Sequence, residues 1–151
     1  MADTAGLPPA LAEIAADFAD LAPPDRLMLL LDFSANLPAL PQRYAEHPEL
    51  LEPVPECQTP LFLITEVDAR SPDAAVRVYF QAPMESPTTR GFAGILAEGL
   101  AGMSAAEVLA VPPDLADRFS LAEVVSPLRL RGLAAMLDRV KRQVREKSAA
   151  G

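Results

Sequence analysis

The sequence is poor in the residues on which many metal and disulfide sites depend. Its 151 residues include one cysteine, one histidine and no tryptophan. A single cysteine cannot form an internal disulfide, and there is no Cys/His cluster of the kind that holds a structural zinc ion. One thiol in one chain also cannot hold an iron–sulfur cluster alone. We therefore predict that this chain binds no metal and no cofactor of its own.

Features of other protein classes are missing as well. There is no GxxxxGK[ST] loop and no GxGxxG motif, so a nucleotide site has no support. Leu27–Leu31, the longest dense apolar run, is far too short to cross a bilayer, and the acidic N-terminus lacks the basic region of a secretory signal. A net charge of -8 disfavours nucleic acid and anionic membranes. These absences predict a cytoplasmic protein with neither nucleic acid nor a membrane as partner.

Hydrophobic periodicity predicts helices before and after a small sheet in the sequence. Residues Pro9–Ala19 carry apolar side chains at helical spacing, and Asp25 is placed to cap a second helix over 26–35. Leu61–Val67 and the alternating residues 76–81 predict an antiparallel hairpin. We predict an α+β fold with a small antiparallel β-sheet packed against several α-helices. It forms a single domain with a core of about residues 9–146 and short flexible termini.

Three helix starts follow the predicted hairpin. Ser86-Pro87 and Ser126-Pro127 each place an N-cap serine before a proline at the first helical position. Ser104 and Glu107 have the spacing of a capping box. Gly132 lies inside the last helix, where glycine costs about 1 kcal/mol relative to alanine. It therefore predicts a close contact between this helix and another segment of backbone.

Positive charge is concentrated towards the C-terminus. Seven of the thirteen basic residues lie there: Arg129, Arg131, Arg139, Lys141, Arg142, Arg145 and Lys147. One interpretation is a solvated helix whose cations complement the C-terminal end of the helix dipole. The other interpretation is a basic face that docks an acidic partner.

The only cysteine lies in the loop "VPECQTPLF" (Val54–Phe62), just before the first predicted strand. A lone cysteine is usually a buried and inert hydrophobe. A loop stiffened by three prolines, however, presents a side chain at a fixed place, which suits a reacting group. Glu56 would raise the thiol pKa if it lies near the sulfur, so activation must come from the fold or a partner. His47, in a polar loop, is expected at the surface.

Four segments together resemble the SufE family of sulfur-acceptor proteins, which work with PLP-dependent cysteine desulfurases in iron–sulfur cluster biogenesis. They are "LPALPQRY" (Leu37–Tyr44), "VPECQTPLFL" (Val54–Leu63), "TTRGFAGILAEGLAGMSAAEVLAV" (Thr88–Val111) and "SPLRLRGLAAML" (Ser126–Leu137). Their order and spacing fit from about Pro24 to Val144, which is most of the chain. This sequence departs from the family pattern at Glu56, where the family usually has glycine.

The resemblance implies a function and a site. Cys57 would accept persulfide sulfur from a SufS-like desulfurase, stimulate that enzyme and pass the sulfur to an iron–sulfur scaffold, while PLP belongs to the desulfurase. Arg129 matches a family arginine that contacts the desulfurase; the alternative is a structural anchor that bonds loop carbonyls. Gln58 is expected to position the loop by hydrogen bonding, and Glu56 to change the electrostatics beside the sulfur.

Two other hypotheses stay open at this point. In one, the chain is a non-catalytic interaction domain on the same fold, and Cys57 is inert. In the other, it is a thiol-dependent enzyme with a small substrate, although no His or Asp partner near Cys57 is visible in the sequence. The resemblance implies a sulfur carrier and desulfurase activator rather than a stand-alone enzyme.

Overall fold

Helices and a three-stranded sheet make up this computed structural model, which describes residues 3–149. The elements are α1 (Pro9–Ala19), α2 (Pro23–Ala35), α3 (Gln42–Ala45), β1 (Glu52–Pro53), β2 (Phe62–Val67), β3 (Val76–Gln81), α4 (Pro87–Gly99), α5 (Ala105–Leu109) and α6 (Pro127–Ser148). The predicted α+β class is confirmed. The predicted flexible termini fall partly on residues 1–2 and 150–151, which lie outside the described residues.

The sheet has the strand order β1-β2-β3, and both pairs are antiparallel. The predicted hairpin is confirmed as β2 and β3, in a register that sets Glu66 opposite Arg77. The sequence did not predict β1, because a two-residue strand that ends in proline shows no alternation. Its pairing of Glu52 with Leu63 nevertheless ties the segment before Cys57 to the sheet.

The second helix begins earlier than predicted. Asp25 does not cap it: Ala22 occupies the cap position, Pro23 and Pro24 come next, and Asp25 lies in the first turn. Prolines suit the first helical turn because the N–H groups there have no partner within the helix. The first helix, in contrast, spans the residues predicted for it.

The later helix starts follow the predicted chemistry with one exception. Ser104 and Glu107 form both bonds of the capping box at the start of α5. The Oγ atom of Ser126 accepts a hydrogen bond from the backbone of Arg129 at 3.3 Å and caps α6. Ser86 occupies the cap position of α4, but its side chain makes no capping bond.

Helix α6 covers the part of β2 that the short strand β1 does not reach. The pairing with β1 extends only over Phe62 and Leu63, so the backbone of Thr65 needs other partners. The N–H of Thr65 donates to Oε1 of Gln143 at 2.8 Å, and Lys147 donates to the carbonyl oxygen of Thr65. These bonds fix which face of α6 turns towards the segment that contains Cys57.

Buried apolar side chains from Leu11 to Val144 form one cluster. Helices α2 and α4 approach so closely that a Cβ atom at Gly94 would lie 2.4 Å from the carbonyl oxygen of Phe33. In the part of the chain that the structure describes, no helix is both long and apolar enough to span a bilayer.

Candidate functional site

Cys57 ends a 3₁₀ turn, Pro55–Cys57, inside a closed segment that we call the Cys57 loop (Val54–Leu61). The N–H of Val54 donates to the carbonyl oxygen of Leu61 at 2.9 Å and closes the base of the loop. Gln58 follows with a φ of 59°, a left-handed conformation that is uncommon for residues other than glycine. Cys57 is buried, whereas both of its neighbours, Glu56 and Gln58, are exposed. The thiol therefore lies on the inner side of a tight surface turn.

The thiol packs against the backbone of α6 at Gly132. The Sγ atom of Cys57 lies 3.7 Å from the Gly132 carbonyl oxygen, to which the thiol donates a weak hydrogen bond. A Cβ atom at position 132 would lie 3.2 Å from Sγ and 3.3 Å from Cα of Cys57. The predicted close contact at Gly132 is confirmed, and the Cys57 loop supplies the other backbone. Only 9% of Cys57 is exposed.

The surroundings of Cys57 disfavour its ionised form. Burial raises the pKa of the thiol, the carboxylate of Glu56 raises it further, and the guanidinium of Arg139 lowers it, with a resulting pKa of about 11. At pH 7 this thiol is therefore almost entirely protonated. Because the thiolate is the nucleophile, the closed loop keeps Cys57 unreactive.

The carboxylate of Glu56 is paired with Arg139 of α6. Nη1 of Arg139 lies 3.0 Å from Oε2 and Nη2 lies 3.0 Å from Oε1, which is a bidentate arrangement. A backbone hydrogen bond at Glu56 and the bond from Arg139 hold the pKa of this carboxyl below its usual value. Arg139 was not predicted from the sequence as a site residue. Since Arg139 follows Gly132 by seven residues, both lie on one face of α6, and this spacing could have identified it.

Further polar bonds link this ion pair to the sheet. Nε of Arg139 also lies 3.2 Å from Oε2 of Glu52 in β1, and Arg142 bonds the same carboxylate. Oε1 of Glu52 accepts a hydrogen bond from Gln143 at 2.9 Å, and Gln143 in turn accepts from Thr65. Arg139 therefore lies between two carboxylates, of which one is fixed to the sheet and the other belongs to the Cys57 loop.

Four of the five basic residues at the end of α6 have partners among residues 3–149. Arg139 and Arg142 pair with glutamates, and Lys141 and Lys147 each donate to a backbone carbonyl. Burial lowers the pKa of both lysines. Arg139, Arg142 and Lys147 fasten α6 to the Cys57 loop and the sheet, and Lys141 fastens it to Val111, after α5. Neither interpretation of the basic cluster had included this role.

Two other residues singled out by the resemblance lie at the surface. Arg129 is exposed in the first turn of α6, three residues before Gly132. Within residues 3–149 its guanidinium has no hydrogen-bond or ion-pair partner, so the alternative of a structural anchor gains no support. The side chain of Gln58 is exposed and likewise has no partner among the described residues. Its backbone N–H donates to the carbonyl oxygen of Pro55 at 3.0 Å, so Gln58 shapes the turn through its main chain.

Few groups in the described chain offer other chemistry. His47 is at the surface, as predicted, and its Nδ1 lies 2.9 Å from Oε1 of Glu49. No group of three or more His, Cys, Asp or Glu residues between positions 3 and 149 is arranged to hold a metal ion. A cavity of about 320 Å³ lies beside the loop exit, lined by Pro60, Phe62 and Pro83 among others, but Cys57 does not line it.

Comparisons with known proteins agree with the four motifs. A family model described as "SufE: Fe-S metabolism associated domain" matches residues 12–144. The chain belongs to the SufE family. Two curated relatives, each named an uncharacterized SufE-like protein, come from the CDC 1551 / Oshkosh and H37Rv strains of Mycobacterium tuberculosis. Each is 55% identical over 146 residues, which cover 97% of this chain and 99% of the relative.

More distant relatives share part of this similarity. The "SufE-like protein 1, chloroplastic/mitochondrial" of Arabidopsis thaliana is 28% identical over 138 residues, which cover 91% of this SufE-family chain and 35% of the plant protein. A solution structure of a hypothetical protein from Thermus thermophilus has a TM-score of 0.78 at 41% identity, and the match covers 93% of this chain and 97% of the Thermus chain. The SufE-like fold is confirmed, and membership associates the chain with Fe–S metabolism.

Proposed function

We propose that this protein accepts sulfur on Cys57 from a PLP-dependent cysteine desulfurase, stimulates that enzyme and passes the sulfur on for iron–sulfur cluster assembly. The observation that carries the proposal is the position of the only cysteine, beneath a surface turn between two exposed residues. A sulfur carrier needs a thiol that is shielded at rest and reachable after a small movement. In this proposal the protein acts in the cytoplasm, and PLP stays with the desulfurase.

The proposed chemistry is a transfer of one sulfur atom between two cysteines. The thiolate of Cys57 attacks the outer sulfur of a persulfide on the desulfurase and forms a new S–S bond. The S–S bond to the desulfurase cysteine breaks, and that cysteine leaves as a thiolate. Cys57 then carries the outer sulfur as its own persulfide, with no net oxidation or reduction.

The transfer requires the Cys57 loop to move. The thiol contacts the backbone of Gly132, and it lines none of the neighbouring cavity, so the closed state offers little room for an additional sulfur. Movement of the loop away from α6 would expose the thiol to water. Because burial is the main cause of its raised pKa, exposure would lower that pKa towards its ordinary value and increase the thiolate fraction.

The surface beside the loop fits a docking role in this proposal. Leu128 is 46% exposed in the first turn of α6, next to the exposed guanidinium of Arg129. An apolar side chain beside an arginine without an internal partner is the kind of pair that contributes to protein interfaces. We propose that Arg129 and Leu128 contact the desulfurase when it approaches the loop.

The alternative function is an interaction domain in which Cys57 is inert. The low exposure of Cys57 and its pKa of about 11 favour this alternative, because both suppress thiol reactivity. The two functions differ in whether the chain ever carries sulfur, and that difference can be measured directly.

The test combines the protein, a cysteine desulfurase and free cysteine, and follows intact mass together with alanine production. The proposed function predicts a gain of one sulfur atom by the wild-type chain and faster alanine production. Cys57→Ser should show neither effect while keeping its fold by circular dichroism. A desulfurase that binds the chain but transfers no sulfur to it would contradict the proposal and favour the interaction domain.

A further inference from the structure

The Glu56–Arg139 pair is the one ion pair between the Cys57 loop and α6 within residues 3–149. Its bidentate contacts join the middle of the 3₁₀ turn to a point on α6 two helical turns beyond Gly132. The loop and the helix also meet where Cys57 packs on Gly132, with its weak S–H bond. Beside this packing, the ion pair is the charged contact that holds the turn against α6.

Separation of this pair would leave neither charge buried without a partner. Arg139 is 22% exposed and would keep its contact with Glu52. Glu56 is already 46% exposed, so its carboxylate would return to water. Since the usual penalty for breaking a buried pair is the stranded charge, these two residues can separate at low cost and pair again readily.

The remaining hydrogen bonds of the turn do not oppose this movement. The N–H of Cys57 donates to Val54 at 3.1 Å and that of Gln58 donates to Pro55 at 3.0 Å, both within the loop. These bonds allow the turn to move as a unit about the closed base of the loop. Beyond the turn, Thr59 donates to Thr89 of α4 at 3.2 Å and ties down the exit of the loop.

We propose that Glu56 and Arg139 are positioning residues whose ion pair holds the Cys57 loop closed on α6 and thereby sets how often the thiol is exposed. This inference concerns exposure of the thiol and does not depend on which sulfur donor Cys57 meets. Its test can therefore succeed or fail independently of the sulfur-transfer function.

The closing role and a purely electrostatic role make different predictions for the two residues. Loss of either charge breaks the pair, so the closing role predicts greater exposure of Cys57 in both Glu56→Gln and Arg139→Gln. If the two residues acted only on the charge of the sulfur, loss of Glu56 would favour the thiolate and loss of Arg139 would disfavour it. The direction of the change in the alkylation rate of Arg139→Gln therefore distinguishes the two roles.

The experiment measures alkylation of Cys57 by iodoacetamide, an uncharged reagent, in the full-length chain. We expect the alkylation rate at pH 7 to rise about 3- to 10-fold in both Glu56→Gln and Arg139→Gln. Arg139→Lys, which keeps the charge but loses the bidentate geometry, should fall between Arg139→Gln and the wild type.

Salt supplies a second measurement on the same proteins. Raising NaCl from about 0.05 to about 1 M screens a partly exposed ion pair and should increase the wild-type alkylation rate several-fold. Glu56→Gln should show no such increase, because it has no pair to screen. Glu98→Gln removes an exposed carboxylate from α4 instead and should behave as the wild type in rate and in salt response.

The proposal is overturned by either of two results. One is an alkylation rate in Glu56→Gln and Arg139→Gln that stays within about twofold of the wild type, because such a pair would not restrain the loop. The other is an increase in Glu56→Gln alone, which would assign the effect to the carboxylate and not to the pair. Unfolding curves for each variant confirm that the comparison is made between folded proteins.

Discussion

Glu56 and Glu66 are both paired with arginine, but they serve two differently built regions. Glu66, in β2, is 19% exposed and is bonded by Tyr44 at 2.6 Å, by Arg43 at 2.6 Å and by Arg77 at 3.0 Å. Burial opposes its ionisation, but the three donors outweigh burial and lower the pKa of Glu66 to about 2. Glu56 is half exposed and has Arg139 as its single ion-pair partner within residues 3–149.

The difference shows how one chemistry can serve two purposes. The bonds of Glu66 join α3 to both long strands, so no single movement releases that carboxylate. The bond of Glu56 joins one turn to one helix, and Arg139 retains Glu52 when that bond breaks. The bonds of Glu66 fix part of the fold, whereas the bond of Glu56 holds the Cys57 loop against α6 and can break when the loop moves.

The largest expected effect comes from neutralising Glu66. In Glu66→Gln, Arg43 loses its carboxylate partner, Arg77 keeps only Asp68 and Tyr44 loses a charged acceptor, so we expect the free energy of unfolding to fall by about 3 kcal/mol. Glu56→Gln should change it by less than about 1 kcal/mol, because that pair is partly exposed. Urea unfolding measures both. Equal losses in the two variants would remove the distinction between the regions.

Acid should reveal the same contrast with a somewhat smaller effect. The pKa of Glu66 is lower in the folded state than in the unfolded chain, so its ionisation stabilises the fold above the unfolded value of about 4.5. That contribution, about 2 kcal/mol after allowance for exposure, is lost as the pH falls from about 4.5 to about 2. The wild-type minus Glu66→Gln difference in unfolding free energy should shrink over this range. A constant difference would contradict the assignment.

Substitution of Gly132 tests whether the Cys57 loop can be displaced from α6. The added Cβ would crowd Cys57, but alanine also favours the helix, so Gly132→Ala should change the free energy of unfolding by less than about 1 kcal/mol. Iodoacetamide should react several-fold faster in this variant because the turn is displaced. Gly94→Ala is the control, since its Cβ would meet a backbone carbonyl at 2.4 Å, and it should destabilise by more than about 2 kcal/mol. A similar loss of unfolding free energy in Gly132→Ala and Gly94→Ala would mean that the Cys57 loop is packed as rigidly as helices α2 and α4.

The smallest effect is expected at the loop exit. Thr59→Val removes the hydroxyl that bonds Thr89 at 3.2 Å and should lower the free energy of unfolding by about 0.5 kcal/mol. Alkylation of Cys57 should change by less than about twofold, since this bond does not join the turn to α6. If Thr59→Val accelerated alkylation of Cys57 more than Glu56→Gln does, the bond at the loop exit, and not the ion pair, would be what holds the loop closed.

The sequence predicted the fold better than it predicted the setting of the thiol. Periodicity and caps located α1, the hairpin and the α5 capping box because these depend on neighbouring residues. Gly132 also marked a close contact, since a glycine within a helix needs a reason. The segment that Gly132 contacts could not be predicted in this way. Nor could the pairing of Glu56 with Arg139, because these two residues are 83 positions apart in the sequence. The resemblance emphasised Arg129, whereas the arginine that pairs with the Cys57 loop and lowers the pKa of the thiol is Arg139.

The most direct test of the sulfur-carrier function is a single-turnover transfer. A desulfurase is charged with cysteine, freed of excess cysteine and mixed with the wild-type chain or Cys57→Ser, and both partners are then mapped by peptide mass. We predict that the outer sulfur leaves the desulfurase and appears on the peptide that contains Cys57, and that it stays on the desulfurase with Cys57→Ser. Sulfur that remains on the desulfurase in the presence of the wild-type chain would contradict the proposed function.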